Sequence, residues 1–281
     1  MLSDPPYNLS TSDDIINILQ ITDLHLSTHE PIKHSDYEPF DALSACQQSF
    51  EAVLKQALEE DIRCDLIIVT GDLVSKVERA IYDHIFAVLH STGIPFVCIA
   101  GNHDVTDEEH SDLPFFQREL LPRSADSRLL NRYVIHTDHW QILLLNSAIS
   151  GKVYGEIVTA DIEWLEQQLQ LCHKPVLLAL HHHILPMESA WIDAHMAQNT
   201  EAFWQRVQPY DHLRVVISGH THQEQTRYRN EVTVYSTPST CYQFKPYQDD
   251  FEYDRDALPG YRWLQLANNG QVASWIKRLD T

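Results

Sequence analysis

Polar side chains that could bind metal ions follow several β-rich apolar runs of this 281-residue chain. Near-continuous apolar runs of this kind are typical of strands buried on both faces. Carboxylate, neutral imidazole and amide oxygen are ligands that Mn, Fe and Zn accept in proteins. Because ligands bind at the carboxyl ends of strands in open α/β sheets, we expect such groups to converge on one metal-binding site. Five runs end in these groups, which in chain order are Asp23 and His25, Asp72, Asn102 and His103, His181, and His220 and His222.

Each motif also has a simpler interpretation when it is taken alone. Asp-x-His at Asp23 and Gly-Asp at Asp72 occur in ordinary turns and caps. The run His181 to His183 could be a solvated tip with one core histidine. Gly-His-Thr-His is more specific, because His220 and His222 can present both rings to adjacent metals. Several independent turns would have to imitate a metal site in this order, so we favour the metal site.

The elements between these motifs predict an α/β fold. Apolar residues recur at helical spacing after Asp41, a plausible N-cap, and after Thr159, which can cap a later helix. Strands and helices that alternate at this spacing predict parallel βαβ units. Strand-like segments in the last third suggest a more antiparallel second sheet, with a hairpin turn at residues 268–270. No repeat or linker divides the chain, so we expect residues 1–281 to form a single domain.

Charge and composition narrow the classes of partner. Lys and Arg number 20 against 40 Asp and Glu, which gives a formal net charge of −20. We expect neither nucleic acid nor an anionic membrane as partner, because both bind through cationic contacts with phosphate. An anionic small substrate would need bound cations that reverse the potential locally. Residues 1–14 lack the basic residues and apolar core of a secretion signal, and no apolar run could span a membrane, so we expect a cytoplasmic protein.

The cysteines give little sign of a structural role. They are five in number and widely scattered, without a Cys-x-x-Cys pair: Cys46, Cys64, Cys98, Cys172 and Cys241. This pattern argues against a disulfide framework and against a thiolate zinc site. Most of them lie in apolar runs, where we expect free thiols packed as small buried hydrophobes.

The ordered motifs resemble those of the calcineurin-like metallophosphoesterase superfamily: Asp-x-His, Gly-Asp, Gly-Asn-His-Asp, a single His and Gly-His-x-His. The resemblance runs from Ile18 to about Pro246, nearly the whole chain. It implies a four-layer α-β-β-α sandwich of two mixed sheets with the site between the sheet ends. Five segments are similar to those of the bacterial class III 3',5'-cyclic-AMP phosphodiesterases. These segments are Ile18 to His25, Trp140 to Leu145, the histidine triplet His181 to His183, Trp191 to Asp193 and Thr237 to Pro246.

Two departures from related patterns matter. Phosphoprotein phosphatases have Asp-Arg three and four residues after the Gly-Asp aspartate, where this chain has Ser75 and Lys76, which argues against a protein phosphatase. The cyclic-AMP phosphodiesterases usually have a proline after the triplet, where this chain has Ile184, so the register of the triplet stays open. We expect His181 to be the ligand because it directly ends the strand, and His182 is the alternative.

The resemblance implies a role for each predicted site residue. One divalent metal would be held by Asp23, His25 and His222 and the other by Asn102, His181 and His220, with Asp72 as the bridge. Fe or Mn would be the metals, and Zn is possible. A hydroxide that bridges the metals would attack phosphorus, and His103, which Asp104 could orient, would protonate the leaving oxygen. Asp72 and His103 are therefore the predicted catalytic residues, and the predicted substrate contacts are His25, Asp72, Asn102, His103, His181 and His222.

The implied reaction is hydrolysis of 3',5'-cyclic AMP to 5'-AMP, with a small-molecule cyclic nucleotide as the partner. The segment around Trp191, Asp193 and Asn199 would shape the nucleoside pocket. A glycerophosphodiesterase or a 2',3'-cyclic nucleotide phosphodiesterase of the same fold is an alternative. A non-catalytic adaptor would be expected to have lost ligands, whereas this chain keeps all seven and His103. Nothing in the sequence indicates an oligomeric state.

Overall fold

Strands and helices alternate along the first two thirds of the chain, as the sequence predicts. The computed structural model describes residues 7–10, 14–27, 42–105, 129–130 and 132–280. The helices are α1 (Ala42–Leu58), α2 (Arg79–Ser91), α3 (Thr159–Leu171), α4 (Ala190–Asp193) and α5 (Thr200–Val207), and a 3-10 turn covers Asn102–Asp104. The strands are β1 (Tyr7–Asn8), β2 (Ile15–Ile21), β3 (Leu66–Val69), β4 (Phe96–Ile99), β5 (Leu129–Leu130), β6 (Arg132–His136), β7 (Gln141–Leu145), β8 (Val176–Ala179), β9 (Leu213–Ser218), β10 (Gln225–Arg229), β11 (Val232–Ser236), β12 (Gln243–Phe244), β13 (Tyr253–Asp254), β14 (Gly260–Ala267) and β15 (Val272–Arg278).

Two large mixed sheets hold most of these strands. Within the described residues, one sheet has seven strands in the order β1-β6-β7-β8-β9-β11-β10, and the other has six in the order β15-β14-β2-β3-β4-β5. The strands β2, β3 and β4 pair in parallel, as do β7, β8 and β9. Antiparallel pairs lie toward the edges, where β14 pairs with both β2 and β15.

Apolar side chains on both faces of each sheet produce four layers. Strand β2 shows the alternation: Ile18 lies in the core between the sheets, and Leu19 lies in the core on the opposite face. Helices α1 and α2 cover that outer face, where Phe50 is fully buried. Helices α3 and α5 cover the seven-stranded sheet with Leu165 and Phe203. Burial of each such side chain stabilises the fold by about 1.5–3 kcal/mol, and the predicted α-β-β-α sandwich is confirmed.

The core between the sheets becomes polar just before the strands end. Gln20 of β2 is fully buried, and its Nε2 donates to Thr70 Oγ1 at 3.0 Å and to Ser218 O at 3.1 Å. Its Oε1 accepts from Thr237 Oγ1 at 2.8 Å. Ser218 and Thr237 belong to the other sheet and its following loop, so one amide ties the two sheets together. This network fixes the carboxyl ends of both sheets against each other.

The C-terminal strands do not form the separate, more antiparallel sheet that the sequence suggests. Strand β11 pairs in parallel with β9 in the seven-stranded sheet, whereas β14 and β15 extend the six-stranded sheet. Residues Trp263 and Leu19, from opposite ends of the chain, are paired. The expectation was wrong because alternating residues identify a strand but not its partner. The hairpin turn at residues 268–270 is confirmed, and Gly270 has a φ of +83°.

Two smaller expectations also change. Helix α3 begins at Thr159, with Val158 in the N-cap position and no side-chain cap, while Asp41 lies outside the described residues. Cys46 and Cys241 form a disulfide, so the prediction of free thiols is wrong for these two. The pair is separated by 195 residues, and no local pattern could have revealed it.

Among the helices described, none has the length and apolar character needed to cross a membrane.

Candidate metal centre

The structure brings all eight predicted residues together where the two sheets end. Most follow their strands by one to four residues, and all but the half-buried Asn102 and the exposed His103 are buried. Overlapping sets of three donors, each within 4.8 Å of one another, contain Asp23, His25, Asp72, His103, His181, His220 and His222. Asn102 joins them through its Oδ1, which lies 3.3 Å from His181 Nε2.

The first group consists of Asp23, His25 and His222. The Nε2 atoms of His25 and His222 are 3.1 Å apart, and His222 Nε2 is 3.3 Å from Asp23 Oδ1. His222 Nδ1 donates to Tyr242 O at 2.8 Å, because a carbonyl can only accept, so Nε2 carries the lone pair. Donors bound to one ion at about 2.0–2.2 Å lie roughly 3–3.5 Å apart, and these spacings fit such a site.

The second group consists of Asn102, His181 and His220. His181 Nδ1 donates to Thr70 O at 2.7 Å, so Nε2, which faces Asn102, is the atom that carries the lone pair when the ring is neutral. His220 lies with its ring centroid 5.1 Å from that of His181. Its Nε2 is buried and has no hydrogen-bond partner among the described residues. A buried nitrogen of this kind costs free energy unless something binds it, so a cation suits the position.

Asp72 lies between the two groups. Its Oδ2 is 3.7 Å from His25 Nε2 and 3.5 Å from His181 Nε2. Its Oδ1 accepts a hydrogen bond from the backbone N–H of His103 at 2.8 Å. One carboxylate oxygen therefore faces a ring nitrogen of each group, the geometry that a bridging ligand needs.

The three histidines of the triplet have different surroundings, although all are buried. His182 Nε2 donates to Val153 O at 3.0 Å, so its Nδ1 accepts from Ser147 Oγ at 2.9 Å. Distance alone groups His182 with His181 and His220, but both of its nitrogens are already bonded within the protein. His183 stacks on His220 at 5.8 Å between centroids. Of the three, His181 is the one whose lone pair faces Asp72 and Asn102.

The backbone at these positions is unusual. Five of the eight residues have positive φ angles outside glycine: Asp23 (53°), His25 (48°), Asp72 (51°), His220 (66°) and His222 (49°). This left-handed conformation is uncommon for non-glycine residues and costs about 1–3 kcal/mol each, so the surrounding structure must enforce it. The sharp turns direct successive side chains to one point.

Two glycines permit the close approach of these turns. A Cβ on Gly101 would overlap the Asp72 carboxylate, and a Cβ on Gly219 would overlap the Thr22 hydroxyl beside Asp23. Each glycine immediately precedes a residue of the site, Asn102 or His220. Any larger residue would push the Gly-Asn-His-Asp or Gly-His-Thr-His turn away from its neighbour.

Comparisons with known proteins agree with this geometry. A sequence profile of calcineurin-like phosphoesterases matches residues 16–224. This chain belongs to the calcineurin-like phosphoesterase family. It is 64% identical over 281 residues to a Psychrobacter arcticus protein named probable cyclic nucleotide phosphodiesterase, and the match covers 100% of both chains.

Two further relatives define the range of similarity. The Vibrio vulnificus 3',5'-cyclic adenosine monophosphate phosphodiesterase CpdA is 34% identical over 269 residues, which cover 95% of this chain and 92% of that protein. A dimetal phosphatase from Danio rerio has the same fold, with a TM-score of 0.64 at 15% identity over 94% of this chain and 99% of its own. The predicted superfamily and enzyme class, a metal-dependent hydrolase, are confirmed.

The pKa values of the histidines in this phosphoesterase are shifted in different directions. Burial lowers the pKa of His25 to about 3, so its ring is neutral and can offer a lone pair at physiological pH. Burial also lowers the pKa of His181, but the Asp72 carboxylate, the Asp23 carboxylate and the Thr70 carbonyl together raise the value to about 9. Burial opposes ionisation of Asp72, and the His181 and His103 charges nevertheless hold its pKa well below the usual range. A cation bound there would take the place of the His181 proton.

Asp104 does not orient His103, contrary to the expectation from its position. Its Oδ1 accepts from Tyr82 OH at 2.8 Å, and its Oδ2 accepts from the backbone N–H groups of Gly101 at 2.9 Å and Leu73 at 3.2 Å. It therefore locks the turns that carry Asn102 and Asp72 to each other. The residue that orients His103 is Ser75, whose carbonyl accepts from His103 Nδ1 at 3.0 Å.

Sequence reasoning also missed the residues that support the ligands from behind. Ser75 Oγ donates to His25 O at 2.7 Å, and Ser239 Oγ donates to Asp23 O at 2.7 Å. Tyr242 supplies the carbonyl that binds His222. These contacts join residues that are not neighbours in the sequence. One indication of them was present in the sequence, the unusual segment from Thr237 to Pro246, which contains both Ser239 and Tyr242.

The predicted nucleoside segment lies only partly beside the site. The Trp191 ring packs edge-on against Phe244 at 5.0 Å, and Phe244 stacks on His222 at 4.3 Å. Asp193 instead supports the triplet, with Oδ1 3.6 Å from His183 Nε2. Asn199 Nδ2 donates to Glu156 Oε1 at 2.9 Å, an exposed contact.

Proposed function

We propose that this phosphoesterase hydrolyses 3',5'-cyclic AMP to 5'-AMP at a site for two divalent cations. The observation that carries the proposal is the position of Asp72, whose Oδ2 lies within 3.7 Å of His25 Nε2 and 3.5 Å of His181 Nε2. A single carboxylate that faces a ring nitrogen of each donor group is suited to bridge two ions. The names of the relatives at 64% and 34% identity support a cyclic nucleotide as substrate.

We assign the ligands by group. Asp23, His25 and His222 would hold one cation. Asn102, His181 and His220 would hold the other, and Asp72 would be shared. The lone-pair directions of His222 and His181 support this division. The alternative ligand His182 is disfavoured because both its nitrogens are bonded to Ser147 and Val153. Nitrogen and oxygen donors without sulfur suit Fe and Mn, and also Zn.

The cations and the protein contribute different parts of the chemistry. Bound divalent cations neutralise phosphate oxygens and make water nucleophilic at neutral pH. The chain itself holds the donors on rigid strand ends, so little reorganisation is needed when the substrate binds. We assign the contacts with the phosphate to six residues, of which His103 is exposed and Asn102 is half-buried: His25, Asp72, Asn102, His103, His181 and His222.

His103 is the proposed general acid. It is exposed, and its ring lies edge-on to His25 with 4.9 Å between centroids. Since Nδ1 donates to the Ser75 carbonyl, Nε2 is the atom that can give a proton to the departing ribose oxygen. Proton transfer by a positioned side chain typically accelerates such a step by about 10²–10⁴-fold.

Aromatic rings beside the first group support a nucleotide as the substrate. Phe244 stacks on the His222 ring, and Trp191 packs against Phe244. Aromatic rings next to a phosphate site suit a nucleobase, because a contact between two aromatic rings contributes about 0.5–1.5 kcal/mol. A glycerophosphodiester has no ring that could use this surface.

A panel of phosphoesters tests the proposal. Purified chain loaded with Mn²⁺ or Fe²⁺ is incubated with cyclic AMP, cyclic GMP, a 2',3'-cyclic nucleotide, a glycerophosphodiester and a phosphomonoester, and products are separated by chromatography. We expect cyclic AMP to give 5'-AMP with the highest kcat/KM, and metal-chelated chain to be inactive. If a glycerophosphodiester or a 2',3'-cyclic nucleotide is hydrolysed faster, that compound would replace cyclic AMP as the proposed substrate. A metal-loaded chain that hydrolyses none of these compounds would favour a non-catalytic adaptor.

A further inference from the structure

The loop between β11 and β12, residues 237–242, lies directly behind the first group; we call it the support loop. Ser239 Oγ donates to the carbonyl of Asp23 at 2.7 Å. The Tyr242 carbonyl accepts from His222 Nδ1 at 2.8 Å, and the Tyr242 ring stacks on His25 with 5.0 Å between centroids and an angle of 27°. The support loop thus contacts all three members of the first group.

A disulfide ties the support loop to a helix on the outer layer. Cys241, which immediately precedes Tyr242, is bonded to Cys46 of α1. Cys46 is buried, with 2% of its surface exposed, and α1 is anchored to the six-stranded sheet through residues such as Phe50. The covalent bond therefore restrains the residue next to the one that orients His222 and His25.

The second group has different support. His181 is oriented by Thr70 O, directly after β3, and Asn102 sits on a turn that Asp104 locks to the backbone of Gly101 and Leu73. Hydrogen bonds and ring contacts of the described residues join Tyr242 to the first group and not to Asn102, His181 or His220. A change at Tyr242 should therefore act on one cation and spare the other.

We propose that Tyr242 is a positioning residue for the first group and that the Cys46–Cys241 disulfide sets, through Tyr242, how tightly this group holds its cation. The inference rests on the proposed two-cation site. Outer partners of metal ligands typically change affinity by about 10- to 100-fold when they are lost. The result would be a phosphoesterase in which the redox state of one cysteine pair adjusts one of two metal affinities.

The redox step is an ordinary thiol–disulfide exchange. A dithiol reductant attacks the Cys46–Cys241 bond, supplies two electrons and two protons, and is itself oxidised to a disulfide. Cys46 and Cys241 become thiols, and the support loop keeps its hydrogen bonds but loses its covalent link to α1. In a reducing cytoplasm, the location that the sequence predicts, such disulfides are usually transient and redox-sensing.

The first test compares metal binding before and after reduction. Metal-free chain is treated with a dithiol, the reductant is removed under inert gas, and Mn²⁺ bound per chain is measured by equilibrium dialysis. We expect two Mn²⁺ in the oxidised chain, with the affinity of one falling about 10- to 100-fold on reduction and the other unchanged. Thiol titration of the denatured chain should give three free cysteines before reduction and five after it.

Matched cysteine variants identify the disulfide as the cause. The double variant Cys46→Ser, Cys241→Ser should bind Mn²⁺ like the reduced chain and should no longer respond to the dithiol. The control Cys64→Ser, Cys172→Ser, which alters two free and half-buried thiols, should respond like the unaltered chain. Two results would overturn the proposal. One is a count of five titratable thiols in the untreated chain, and the other is a pair of Mn²⁺ affinities that reduction leaves unchanged or lowers to the same extent.

The second test concerns Tyr242 itself. Tyr242→Phe keeps both the carbonyl and a stacking ring, so we expect two unchanged Mn²⁺ affinities. Tyr242→Ala removes the ring, and we expect the affinity of one cation to fall about tenfold, which the Mn²⁺ electron paramagnetic resonance signal would report. Two unchanged affinities in Tyr242→Ala would refute the positioning role. An unaltered chain that binds fewer than two cations would overturn the proposed site itself, a distinguishable result.

Discussion

The two halves of the candidate metal centre each combine one oxygen donor with two histidines, but they receive different support. The second group is oriented by backbone atoms at the ends of central strands, as Thr70 O does for His181. The first group depends on the late support loop, where Ser239 and Tyr242 reach back to Asp23 and His222. Similar donor sets can thus be supported by the core or by a loop, and we propose that the loop-supported half is the adjustable one.

The halves also differ in how protons compete with a cation. His25 has its pKa lowered to about 3 by burial and carries no proton near neutral pH. Burial opposes the charge of His181, but its pKa is raised to about 9 because Asp72, Asp23 and the Thr70 carbonyl together stabilise the protonated ring. A cation that binds the second group would therefore displace a proton from His181, whereas a cation that binds the first group would displace none from His25.

Asp72 joins the two halves, so its removal should have the largest effect. We expect Asp72→Ala to lose tight binding of both cations and to lower kcat by at least about 10⁴-fold, because both the charge and the bridge disappear. Metal content after dialysis and turnover of cyclic AMP measure the two losses. The control Asp211→Ala changes an aspartate whose side chain is 95% exposed and should keep both properties. Two tightly bound metals in Asp72→Ala would rule out the bridging role.

His103 should separate rate from metal binding. We expect His103→Ala to keep both cations and to lose about 10²–10⁴-fold in kcat on cyclic AMP, because the departing ribose oxygen lacks a proton donor. The loss should be much smaller for a nitrophenyl diester, whose leaving group needs no proton. His139→Ala, at an exposed histidine away from the site, is the matched control. An unchanged rate on cyclic AMP would remove His103 as the acid.

Single ligand variants should break the two halves independently. We expect His222→Ala to weaken one cation and His181→Ala to weaken the other, each by at least about 100-fold, because a direct ligand contributes more than its outer partner. Dialysis against Mn²⁺ should leave about one ion per chain in either variant. Loss of both ions in His222→Ala, with Asp72 intact, would show that the halves are not separable.

The pH dependence of metal binding should also distinguish the halves. Since His181 keeps its proton up to about pH 9 in the metal-free chain, we expect one Mn²⁺ affinity to rise by about tenfold per pH unit between pH 6.5 and 9. The stability of the metal-free fold should change with pH in the opposite direction. Protonated His181 stabilises this fold fully below about pH 6.5, and the contribution is lost as the pH rises through about 9. Titrations at several pH values measure the first effect, and equal slopes for both ions would contradict the comparison.

The fold and the ligand set were largely readable from the sequence because both have local signatures. Apolar runs identified β2, β3, β4, β8 and β9, and the polar residue after each run marked its carboxyl end. The structure confirms the α-β-β-α sandwich and brings Asp23, Asp72 and His181 together as expected. The single domain over residues 1–281 and the roles of the site residues stay predictions.

The supporting contacts were not readable, because their partners lie far apart in the chain. Asp104 was expected beside the His103 ring, yet its carboxylate binds Tyr82 and the Gly101 backbone. The antiparallel segments were expected in one sheet, yet β11 and β14 lie in different sheets. The side chains of two residues that are adjacent in a turn can point in different directions. The partner of a strand depends on the packing of the whole core.

By itself, the sequence determined which residue types could meet at the strand ends and what ions they could hold, because strand ends and donor chemistry are local properties. Only the tertiary structure decided which histidine of the triplet faces Asp72 and Asn102, and that Cys46 meets Cys241 behind the first group. These choices depend on hydrogen bonds and contacts between segments up to 195 residues apart, and such contacts exist only once both sheets have packed.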